Sequence, residues 1–119
     1  RRNRSTIAPQ ALTQLNSAFS FMTAKKFASH LLAEAGDGTQ QQIALAYRRA
    51  LGRLPTAEEQ VVAADFISSA KKRMRDDRPD LLKITVPDNL PESSDRLHAA
   101  ALTQFCLAML NLNEFIYID

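Results

Sequence analysis

The chain has 119 residues, 45% of them hydrophobic, which suits one domain whose single core hides roughly two-thirds of the unfolded surface. No run of about 18 apolar residues is present to span a bilayer, and no charged-then-apolar stretch reads as a signal peptide. The formal charge of +2 is unevenly spread: Lys71, Lys72, Arg73, Arg75 and Arg78 form the densest basic run, but Asp76, Asp77 and Asp80 break it, so it reads as a solvated helix end and not as a nucleic-acid footprint.

The chain opens on Arg1, Arg2, Asn3 and Arg4 without a Met, the pattern of a piece of a longer protein. A first segment runs from Ser5 to about Ala35. Ser5 or Thr6 is placed to cap, and Pro9 suits a first turn, where its missing N–H is not needed. Leu12, Leu15, Phe19 and Met22 recur at the three-and-four spacing of a helix face. Asn16 and Ser17 are weak helix formers, and Phe27, Leu31 and Leu32 continue in a shifted phase. The spacing predicts a helix over about 9–16 and a longer one over 18–35, bent near Asn16. Gly36, Asp37 and Gly38 end it.

The second segment begins at Thr39 as N-cap and runs to Leu51, with Ile43, Tyr47, Ala50 and Leu51 as its buried stripe. Gly52 is placed to stop it in a left-handed conformation, and Arg53-Leu54-Pro55 follows as a loop. The third segment, 57–76, has the clearest start, since Thr56-Ala57-Glu58-Glu59 fits a capping box. Val62, Phe66, Ala70 and Met74, widened by Ile67, form its apolar row. It fades near Asp77, because Pro79 disfavours helix at Arg78.

From about 78 to 92 no helical period is visible: Pro79, Pro87 and Pro91 punctuate a loop in which Leu81 to Val86 run extended. The last helix spans about 94–112 from a cap at Ser93 or Ser94, with Leu97, Ala101, Phe105, Ala108 and Leu112 on one face. Its apolar residues extend over most of its circumference, so it is expected to be the central, most buried helix. Asn111 and Asn113 at its end suit a left-handed cap, and the closing stretch Glu114 to Asp119 is expected to pack on the first segment. The expected architecture is all-α: a compact bundle of four to five helices with one long irregular loop, in a single domain 1–119 that is a fragment of a larger protein.

No chemistry-bearing constellation emerges from these elements. His30 and His98 lack further ligands at helical spacing, so no metal is expected and both read as surface or capping residues, with Asp95 a local partner for His98. Cys106 lies among Phe105, Leu107 and Ala108 and reads as a buried small hydrophobe. The carboxylate pairs are explained by helix starts and loops, and no phosphate loop or haem-attachment motif is present, so no catalytic residue and no cofactor is expected. Polar residues gather at the two ends instead: Arg2, Asn3, Gln10 and Asn16 at one, Asn111, Asn113, Glu114 and Asp119 at the other. With Arg53 they are the candidates for a structural or interaction role; where the first and last segments pack together, the terminal arginines are expected to meet the Glu114 or Asp119 carboxylates in forked pairs.

The same stretches carry a resemblance. Arg2 to Leu12, followed by Leu15-Asn16-Ser17, resembles an R-N-x-S-T-x-x-P-Q-A-L-x-x-L-N-S motif; Leu51 to Thr56 with Glu59 resembles L-G-R-x-P-T-x-x-E. Leu110 to Asp119 resembles L-N-S-N-E-F-x-Y-x-D. These are motifs of the planctomycete-type PSD domain, an uncharacterised bacterial family. The chain departs from it at Leu112, where a small polar residue is frequent, and at Leu102, where Trp is frequent; both add apolar surface. The resemblance implies the closing portion of a large exported protein, often one with cytochrome-c-like domains upstream. It therefore implies an extracytoplasmic setting, with the remainder of the parent protein as the partner. A non-catalytic helical module is the expected function; the alternative is a share in a carbohydrate-binding or catalytic site completed only in the intact protein.

Overall fold

The computed structural model describes residues 18–91 and 93–111. The helix expected over 9–16, its bend near Asn16 and the closing stretch 112–119 lie outside these residues. Five helices follow in order: α1 (Ala18–Ala35), α2 (Thr39–Leu51), α3 (Ala57–Asp76), α4 (Pro79–Thr85) and α5 (Arg96–Met109). The helix α5 packs against α1, α3 and α4, while α2 closes the side between α1 and α3. The all-α bundle is as expected.

In α1 the buried row is Ala24, Ala28 and Leu31, flanked by half-buried Phe21, Phe27 and Leu32. Phe19 and Met22, expected on the core face, are instead 76% and 56% exposed. At 100° per residue they fall roughly 140° and 160° from Ala24, on the far side of the helix. Gly36 closes α1 at φ 76°, a left-handed residue that a side chain would strain. The cap of α2 is Gly38, not Thr39: its carbonyl accepts the first intrahelical bond, from Gln42 N at 3.0 Å. Ile43 and Tyr47 are buried as expected, joined by Ala46 and by Gln42, while Ala50 and Leu51 are half-buried at the core edge. Gly52 terminates α2 at φ 74°, donating to Arg48 O at 3.0 Å.

The start of α3 is the capping box that its sequence spells: Glu59 N donates to Thr56 Oγ1 at 3.1 Å and Thr56 N to Glu59 Oε1 at 2.9 Å. Its buried row is Ala63, Ile67, Ala70 and Met74. Phe66 lies at the margin of this row, edge-on to Phe105 with ring centroids 6.2 Å apart. Val62, assigned to the row from its spacing with Phe66, is 61% exposed, because it sits roughly 100° round the helix from Ala63.

The stretch 78–92 is not one irregular loop, nor is 81–86 extended. Pro79 stands at the first position of α4, where its fixed φ and absent N–H suit a helix start as well as they stop α3. Seven residues are too few for an isolated helix, so α4 is held by docking on α3 and α5, with half-buried Leu82 turned to the core. Thr85 at its end and Val86 and Pro87 beyond it are buried, and Asn89 takes a left-handed turn at φ 59°.

The helix α5 begins at Arg96 from an Asp95 cap, two residues later than expected, and ends at Met109. From His98 to Met109 every residue but Gln104 is buried. Ala99, Ala100 and Ala101 let neighbouring backbones approach, and Thr103 satisfies its hydroxyl on Ala99 O at 2.9 Å. Cys106 is fully buried, as expected, and burial pushes its thiol up, so it carries no thiolate at neutral pH. Asn111 is buried and donates its backbone N–H to Ala108 O at 2.9 Å; it does not adopt the left-handed cap expected of it, as Asn89 is the one non-glycine with positive φ among the described residues.

Leu102 is fully buried in the middle of this helix. Leu102→Ala is expected to destabilise the domain by about 2–5 kcal/mol, read as a lower midpoint in urea with the slope unchanged.

Candidate functional site

Where α2 and α5 face each other, two polar side chains interrupt otherwise apolar surfaces. Gln42 is fully buried and His98 nearly so. Gln42 Nε2 donates to Gly36 O at 2.7 Å, which turns Gln42 Oε1 toward the histidine. His98 Nε2 stands 2.7 Å from that oxygen, and Lys71 Nζ on α3 stands 3.5 Å from His98 Nδ1. The polarity of the chain follows from what each group can do. A carbonyl oxygen only accepts, so His98 carries its proton on Nε2; an ammonium only donates, so Nδ1 is the bare acceptor. Lys71, His98 and Gln42, in that order, form one directed relay ending at the Gly36 carbonyl, an arrangement that a neutral Nε2–H ring completes.

The electrostatics agree. Burial, and then the Lys71 ammonium, hold His98 below the ordinary imidazole value of 6.5, while Asp95 and Asp37 pull the other way. Asp95 engages the backbone and not the ring: its Oδ1 accepts from His98 N at 3.1 Å, capping α5. His98 is thus a buried bridge between elements, not the surface or capping residue expected, whereas His30 is exposed. The missed signal was available in part: Gln42 lies one residue before Ile43 on the buried stripe, and His98 precedes an Ala-rich apolar run.

Beside the relay, α3 and the start of α2 border an open groove of about 590 Å³. Lys71, Lys72, Arg75, Ser68 and Ser69 line it, with Thr39, His98 and the apolar Ala64 and Ile67 completing the wall. Among the described residues no three His, Cys, Asp or Glu side chains gather where they could share a metal ion.

Of the residues singled out from sequence, Arg53 and Asn111 are described; Arg2, Asn3, Gln10, Asn16, Asn113, Glu114 and Asp119 lie outside the described residues. Asn111 is buried just past the end of α5. Arg53 forks onto Glu59, with Nη1–Oε1 2.9 Å and Nη2–Oε2 3.0 Å, and its guanidinium lies 5.6 Å from the Tyr47 ring centroid. This fork joins the end of α2 to the start of α3; the one expected between the chain ends lies outside the described residues.

His98 takes up a proton less readily in the folded chain than in the unfolded one, so stability is complete above pH about 7 and declines as pH falls through 6.5 toward the lowered folded value. His98→Gln is expected to flatten that decline between pH 7.5 and 5.5 in thermal melts; an identical decline in both proteins would show that other groups cause it.

A family model described as PSD1, a protein of unknown function (DUF1553), matches residues 1–67, which include the first two of the three motifs. No curated protein and no solved structure matches the chain.

Proposed function

The chain belongs to the PSD1 family of proteins of unknown function, and on that premise we propose that it is a non-catalytic helical module that braces the C-terminal region of a large exported bacterial protein. The observation that carries this reading is the use made of the Leu51 to Glu59 motif. Gly52 ends α2, Arg53 forks onto Glu59 and lies over Tyr47, and Glu59 accepts a hydrogen bond from the backbone N–H of Thr56, whose hydroxyl caps α3. Each of these polar side chains is engaged by another member of the same joint, the arrangement of a hinge between helices held rigid. A ligand-binding motif presents its donors outward instead. The described part of the matched stretch, residues 18–67, also shares one core with the helices beyond it, since α5 packs on α1.

Export and an envelope or redox setting rest on the resemblance to planctomycete-type PSD domains, whose relatives often carry cytochrome-c-like domains. Cell fractionation of the parent protein tests this: recovery in the cytoplasmic fraction would overturn it.

The joint itself is testable in the isolated chain. Arg53→Ala removes a half-buried fork and a ring contact, and Glu59→Ala removes the fork and half of the capping box. Each is expected to lower stability by about 1–2 kcal/mol, or roughly 4–8 °C in Tm for a domain near this size. The double variant is expected to lose less than the sum of the two. Unchanged melting of Arg53→Ala would sink the bracing role and favour the alternative, in which the arginine serves a carbohydrate or catalytic site completed in the intact protein.

A further inference from the structure

The relay leaves part of one group uncommitted. Lys71 gives one N–H to His98 Nδ1 and keeps two, and it stands on the wall of the groove. Lys71 and Lys72 each stand three or four residues from both Ser68 and Arg75, so α3 presents the four as one broad stripe. Arg75 is partly neutralised by Asp76 at 3.1 Å, but neither Lys71 nor Lys72 has a carboxylate within 4.0 Å among the described residues. None of the residues lining the groove is acidic.

We propose that this groove binds a small-molecule oxyanion, a phosphate or sulfate group, held by the Lys71 and Lys72 ammoniums with the Ser68 and Ser69 hydroxyls as further donors. The charge matches: two unneutralised cations face a dianion. The donors match as well, because a tetrahedral oxyanion offers more acceptor oxygens than a carboxylate and several N–H and O–H groups converge here. The His98 relay fixes one of the two cations in place, so less side-chain freedom is lost on binding than for two free surface lysines. The positive end of α2, which meets the groove at Thr39 and whose Gly38 cap offers no side chain, adds to the field. Arg75 contributes at the rim only. The site is independent of the bracing joint around Arg53, and either can fail without the other.

The experiment is an NMR titration of the 119-residue chain with sodium sulfate, inorganic phosphate and glucose 6-phosphate, each against sodium chloride at equal ionic strength. Saturable shifts confined to the amides of 68–72 and the His98 ring are expected, with a midpoint roughly in the millimolar range. A bound dianion favours the imidazolium, so the protonation midpoint of His98 is expected to rise in sulfate, and sulfate to bind more tightly at pH 5.5 than at pH 7.5. Lys71→Met/Lys72→Met is expected to weaken binding about tenfold, and Lys72→Met alone, outside the relay, about threefold. Lys25→Met/Lys26→Met on α1 is expected to leave it unchanged. Relative affinities of glucose 6-phosphate and inorganic phosphate assign the site to an ester or to the free ion. Shifts no larger than in chloride, shifts spread over all basic surfaces, or an equal effect of the α1 variant would overturn the proposal.

Discussion

The fold depends on the need to enclose α5. A helix that is apolar over nearly its whole circumference cannot lie on a surface, so other elements must cover it on several sides. The helices α1 and α3 supply the two broadest contacts, and α4, too short to persist alone, is held as a third cover. The alanine run at the start of α5 sets the closeness of the approach, since small side chains let neighbouring helices come near. The inert Cys106 thiol and the internally bonded Thr103 follow from the same enclosure: groups inside it must be apolar or satisfy themselves.

His98 is the place where that enclosure meets a polar group. An imidazole at the N-terminal end of α5 is buried by the same packing that buries the alanines, and an unpaired buried donor or acceptor is costly. Gln42 and Lys71 resolve this from two other helices, and because each has a fixed donor or acceptor role, the ring is left neutral with one tautomer. A consequence is that a lysine is held at the wall of a groove. The Arg53 joint solves a different problem, the angle between consecutive helices, and does so with residues close in sequence.

These two devices divide the molecule's polar chemistry. The joint turns its charges inward on itself and gives the domain a rigid corner. The groove turns two ammoniums outward with no carboxylate to answer them among the described residues. The bracing role and the oxyanion site that we propose would each work without catalytic machinery.

The features legible in the sequence alone were ones governed by residues within a few positions of each other. The capping box at Thr56 and Glu59, the glycine stop at Gly52, the three long helices and the central place of α5 rest on local hydrogen bonding and on the 3.6-residue period. The errors have the same origin read in reverse. Val62, Phe19 and Met22 fit an apolar spacing, but only the positions of α5 and its neighbours decide which arc of a helix is covered. Pro79 was read as a stop, and tertiary docking made it also a start. The relay joins Gln42 to His98 across 56 residues and Lys71 to His98 across 27, separations over which no sequence period operates. Only folding, which removes water from those side chains and obliges each to find a partner, brought them together.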